Sequence, residues 1–98
     1  MIVRTETSQQ VYKVQFIKQH TERKKKPCVD TTCLISFDMD GGWEGLSRGT
    51  ARQSHKDVYN HVVGKKIAMT RALEGCGFLK CVRTMFWEEF AKEFGDWK

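Results

Sequence analysis

The sequence predicts an α+β domain in which a three-stranded antiparallel sheet is followed by two helices packed on one of its faces. Two early segments, "VYKVQFIK" and "TTCLISFD", alternate apolar and polar residues with the period of half-buried strands. From Asp57 onward apolar residues recur at three- and four-residue steps, the period of a helix with one buried face. The two periods do not interleave along the chain, and strands segregated from helices mark α+β architecture.

The first ten residues are polar and are expected to be a flexible, frayed end of a single domain spanning 1–98. In the first strand Tyr12, Val14 and Phe16 share a face. The run "QHTERKKKPCVD", with heavy charge and the only proline, reads as an exposed turn or loop. Cys33, Ile35 and Phe37 share a face of the second strand, and the glycines of "DMDGGWEG" allow the chain to reverse into a third strand near 44–52. The first helix places Tyr59, Val62, Val63, Ile67, Thr70 and Leu73 on its apolar side, with Ser54 or Asp57 as its cap and Gly75 as its stop. After the link "EGCGFLKC", Val82, Met85, Phe86, Phe90 and Phe94 form the stripe of the last helix, extended by Trp97.

A chain of 98 residues has room for one modest core and no cleft between domains. A ligand site would then be a surface groove or be completed by a second copy of the chain, so a homodimer or higher homo-oligomer is expected. The net charge of +5 favours anionic partners. The excess is uneven: residues 22–26 read "ERKKK", whereas Glu88, Glu89, Glu93 and Asp96 make the C-terminal end acidic. No apolar run reaches the roughly 18 residues of a membrane span, and the start lacks a secretory signal, so a cytoplasmic location with no membrane partner is expected.

Cys28 and Cys33, like Cys76 and Cys81, are separated by four residues, a spacing that invites a four-thiolate zinc site. Zinc knuckles are tighter and turn on glycine, and Cys33 alternates with core residues, so buried free thiols and no metal are expected. His20, His55 and His61 are candidate bases, and Asp38 and Asp40 lie at the reversal. No phosphate-cradling loop, HExxH or GxSxG accompanies them; the protein is read as a non-enzyme without cofactor. The basic run could meet a nucleic-acid backbone, but a single short run without interleaved aromatics reads first as a solvated loop. Asn60 at the start of the first helix, with Lys65, Lys66 and Arg71 along it, suits an anion. Arg83 and Trp87, four apart on the last helix, can stack to form a platform for a base and its phosphate.

Three motifs carry a resemblance: "DVYN", then "GKKIAMTRA", then "RTMFW". Over roughly residues 31–94 the chain resembles small phage proteins of the first anti-Thoeris type, which soak up glyco-cyclic ADP-ribose. The resemblance implies a phage anti-defence protein in the host cytoplasm that binds a cyclic nucleotide or ADP-ribose-derived immune signal without cleaving it, at sites between protomers. It assigns ligand binding to Tyr59, Asn60, Arg71 and Arg83, and with Lys66 and Trp87 these form the expected site. The alternative is an anti-CRISPR-like inhibitor that meets a host defence protein or nucleic acid through the basic run and the acidic last helix.

Overall fold

A computed structural model describes residues 1–5, 10–39, 41–53 and 60–95. The architecture is α+β, with four strands rather than three: β1 (Ile2–Arg4), β2 (Val11–Arg23), β3 (Lys26–Met39) and β4 (Gly42–Ala51), then helices α1 (His61–Cys76) and α2 (Lys80–Phe94). The sheet order is β1-β2-β3-β4, and every neighbouring pair is antiparallel.

The additional strand, β1, lies in the polar segment expected to fray. Its Val3 sits opposite Tyr12 and is fully buried, and the Val14 N–H donates to the Met1 carbonyl at 2.8 Å. Three residues carry too little periodicity to announce a strand; the free edge of β2 supplies the reason for it to form.

The run "QHTERKKKPCVD" is an exposed turn only at Lys24 and Lys25; the rest is the outer half of a long hairpin, paired down to Arg23 opposite Lys26. Lys24 (φ 50°) and Lys25 (φ 64°) make the two-residue reversal, whose paired positive angles match the twist of the flanking strands. Asn and Gly usually take such positions, so two lysines concealed how tight the reversal is. Pro27 lies beyond the last β3–β4 pair, Thr31 opposite Ala51, in a two-stranded arm where a missing donor is tolerated. Arg23 braces this arm through two hydrogen bonds to Asp30, at 2.7 and 2.8 Å, and a third to the Gln53 carbonyl at 3.0 Å.

Between β3 and β4, Gly41 (φ 92°) occupies the reversal, as the glycine run implied; Asp40 lies outside the described residues. Ser36 pairs with Gly45 and Ile35 with Ser47, so Leu46 is the extra residue of a bulge.

Both helices lie on the sheet face that carries Val14, Cys33 and Ile35, all buried. Phe86 and Phe90 of α2 are fully buried there, each contributing roughly 1.5–3 kcal/mol. Phe16 meets Phe90 and Phe94 edge-on, with ring centroids 6.1 and 5.5 Å apart. Tyr12 packs against Phe78 and Phe86 at 5.0 and 5.5 Å.

Helix α1 departs from the expected apolar face. Val63 and Ile67 are exposed, as is Thr70, while Ala68, Met69, Ala72 and Leu73 are buried. The cause is close approach. A Cβ added to Gly49 of β4 would collide with the Ala68 carbonyl and the Ala72 amide, while Gly64 faces Thr31 and Gly75 faces Ser47. Small residues let the helix axis settle onto the sheet, and hydrophobicity alone undervalues them. The Ser47 hydroxyl fixes the contact by donating to the Ala72 carbonyl at 2.8 Å.

The ends of α1 also differ from expectation. Asn60 is the cap, its Oδ1 accepting from the amides of Val62 (3.0 Å) and Val63 (3.2 Å). Gly75 remains helical, and the stop is Gly77, in the left-handed region at φ 67°. Ser54, Asp57 and Tyr59, like Trp97, fall outside the described residues.

Candidate functional site

The expected ligand residues divide between two helices, and several already have work within the fold. Asn60 spends its side-chain oxygen on capping α1. Arg71 reaches across to β4, where its Nη1 donates to the Thr50 carbonyl; an arginine has five donors, and the group is exposed, so most of its capacity faces outward. Lys66 is half-buried. Arg71 stands five positions further on, about 140° around the axis, so the two flank the buried stripe on opposite borders. Asn60 and Arg71 share a side but stand about 16 Å apart along the helix. A single protomer therefore does not gather Asn60, Lys66 and Arg71 around one small ligand.

On α2, Arg83 is exposed in the first turn. Trp87 is not the free platform expected: it is half-buried against the core and meets Phe90 edge-on at 5.6 Å. The indole fills space beside the phenylalanines because the apolar stripe of α2 is wider than the Phe positions alone. Tyr59 lies outside the described residues.

The start of α2 contributes what residue-by-residue reading overlooked. Its N-cap position is Leu79, which makes no side-chain cap hydrogen bond, and its first turn holds no acid. The amides of Val82 and Arg83 both turn back to the Leu79 carbonyl, at 3.0 and 3.1 Å. Exposed Lys80 and Arg83 flank this end, where the helix dipole is positive. A leucine where Ser, Thr, Asn or Asp would ordinarily stand, followed by "KCVR", is the sequence signal that marks it.

Lys65, excluded from the expected site, has the most perturbed environment of the α1 cations. Its Nζ lies 4.2 Å from the Phe94 ring centroid and 5.8 Å from that of Phe16. Burial lowers its pKa, the neighbouring Lys18 lowers it further, and Glu93 partly offsets both.

The cysteines do not converge. Cys28 and Cys33 are buried, Cys76 is half-buried and Cys81 is exposed, all as free thiols. Burial, with the nearby Cys76, pushes the Cys33 thiol up to about 12, which makes it an inert core group. Among the described residues no three His, Cys, Asp or Glu side chains come together in a way that could hold a metal ion. Asp38 and His20 are exposed at separate places on the hairpin strands, His61 is the first residue of α1, and His55 lies outside the described residues.

The basic run forms the exposed end of the β2–β3 hairpin, with Lys24, Lys25 and Lys26 open to solvent. Among the described residues no helix is long and apolar enough to cross a membrane. No family model, curated protein or solved structure matches this chain.

Proposed function

We propose that the protein binds an anionic nucleotide, a cyclic nucleotide or ADP-ribose-derived immune signal, and sequesters it intact as a phage anti-defence protein in the host cytoplasm. The observation that carries this reading is the start of α2: a helix end without a side-chain cap or an acid, flanked by exposed Lys80 and Arg83. Such an end offers both dipole and cations to a phosphate. The division of the cations between α1, with Lys66 and Arg71 on opposite borders, and α2, with Arg83, is accommodated by a site completed between two copies of the chain. Sequestration needs no nucleophile, because lowering free signal is a matter of affinity and abundance.

The test is a thermal-shift panel of cyclic dinucleotides, cyclic trinucleotides and cyclic ADP-ribose isomers. Ligand at 100 times its Kd stabilises the fold by about 2.7 kcal/mol, a rise of roughly 10–20 °C for a domain this size. Intact ligand recovered after heat denaturation distinguishes holding from processing. Arg83→Ala should abolish the shift. Asn60→Ser keeps a capping side chain and separates a ligand contact from a structural role; full binding by both variants would remove the proposed site.

A second reading, an inhibitor that meets an acidic host defence protein or nucleic acid, draws on the hairpin end. Lys24 and Lys25 both occupy left-handed backbone conformations that lysine rarely adopts, a cost sequence change to Asn-Gly would relieve. Replacing Lys24, Lys25 and Lys26 with serine should remove partner binding and leave any nucleotide response unchanged.

A further inference from the structure

Neither helix packs on the second face of the sheet. Alternation and register place Arg4 of β1, Lys13 of β2, Leu34 and Ser36 of β3, and Trp43 and Arg48 of β4 on it. Trp43 keeps 42% of its surface exposed, and the Lys13 ammonium lies 4.9 Å from its ring centroid. Beside Trp43 the face is notched, because Gly45, opposite Ser36, has open space where a Cβ would stand, and the Leu46 bulge parts the strands. The resulting recess has a volume of about 330 Å³ and is bordered by Leu34, Ser36, Leu46 and Arg48. That volume lies at the lower end for small-ligand sites.

Charge decides between occupants. Arg4, Lys13 and Arg48 stand on this face; among the described residues Asp38 stands opposite Trp43, and Asp30, farther along the face, is held by Arg23. A second copy docked face to face about a two-fold axis would set one face carrying Arg4, Lys13 and Arg48 against another. The outer edge of β4 is also partly occupied, since Arg71 already uses the Thr50 carbonyl. A ligand carrying flat rings and regularly spaced negative charge matches an exposed indole, a recess and cations that make no ion pair among the described residues.

We propose that this open sheet face binds single-stranded nucleic acid, one base stacking on Trp43, a neighbouring base entering the recess at Gly45, and Lys13, Arg48 and Arg4 meeting phosphates. The site is independent of the helix ends and of the hairpin end, and it stands or falls separately from the signal-binding reading.

The experiment is fluorescence anisotropy with a labelled mixed-sequence single strand of about 15 nucleotides, as DNA and as RNA, within the site sizes of such platforms. A duplex of the same sequence is the comparison. Binding of the single strand should exceed that of the duplex. Trp43→Ala should weaken it by roughly tenfold or more, and Trp43→Phe should recover most of the loss. Lys13→Ala with Arg48→Ala should reduce the slope of log affinity against log salt by about 1.4, or 0.7 for each phosphate contact. Trp43 is exposed near the end of an edge strand, so an unchanged thermal midpoint will show that the variants fold. The proposal is overturned by absence of binding at low salt or by wild-type affinity in Trp43→Ala. It is equally overturned if affinity is lost only when Lys24, Lys25 and Lys26 are replaced, or if Trp43→Ala instead dissolves a homodimer that ignores nucleic acid.

Discussion

Replacing Gly49 with alanine tests the contact that seats helix α1 on the sheet. The added methyl would lie 2.6 Å from Arg71 Cβ and closer still to the Ala68 carbonyl oxygen and the Ala72 nitrogen. Two of those atoms belong to helix backbone, which has no rotamer to change. Restoring ordinary contact near 3.5 Å requires α1 to lift by about 1 Å. A gap of that size forfeits roughly a quarter to a half of each dispersion contact. Met69 and Leu73 contribute roughly 2–2.5 kcal/mol each through burial, and Ala68 and Ala72 about 1 kcal/mol each, so the expected loss is about 2–3 kcal/mol. For a domain of this size that corresponds to a fall in Tm of roughly 10–20 °C, measured by far-ultraviolet circular dichroism. Gly45→Ala is the internal control, because its Cβ meets nothing within 4 Å and its φ is not positive. It should leave Tm unchanged or raise it slightly by restricting the unfolded chain. If Gly49→Ala melts within about 2 °C of the parent, helix α1 does not approach β4 as closely as argued.

Three further outcomes are expected. Thr31 is buried with no hydrogen-bond partner for its hydroxyl among the described residues, so Thr31→Val, which keeps the shape and removes the stranded group, should raise stability by about 1 kcal/mol; a fall in a urea titration would contradict this. The hydrogen bonds from Arg23 hold the Asp30 carboxyl below its usual pKa, aided by Arg23's charge and the Gln53 amide and opposed by burial. This stabilisation is present above the unfolded value of about 4 and disappears as pH falls through the folded value, so the stability difference between parent and Arg23→Gln should be largest near neutrality and shrink in strong acid to what the bond to the Gln53 carbonyl contributes. In thiol titration at mildly alkaline pH, exposed Cys81 should react first and buried Cys33 only on unfolding; Cys81→Ser should remove the fast phase.

What could be read from the sequence was whatever local period encodes. The alternation around Val14 and Ile35 and the Phe86–Phe90 spacing identified strands, helix and much of the core. Features that arise only when distant segments meet were hidden. Val3 becomes a strand residue because β2 offers it an edge, and the buried side of α1 is set by Gly49 on another element. The lysine pair at the hairpin end looked like a loop because its composition follows charge rather than turn preference. Within the candidate site, the exposure of Arg83 was legible, whereas the capping duty of Asn60 and the packing of Trp87 required the neighbours' positions.

Because each strand pairs only with those adjacent to it in sequence, the sheet can form in the order in which the chain is synthesised. Its pairings need little loop closure, which favours rapid assembly of a meander. The two helices that cover Val14, Cys33 and Ile35 arrive last. During synthesis, a nearly complete sheet therefore waits with its future interior open to water, and a nascent chain arrested after Ala51 presents that interior to its neighbours. Aggregation of such truncated chains, rather than a soluble isolated sheet, is the consequence of placing the cover at the end.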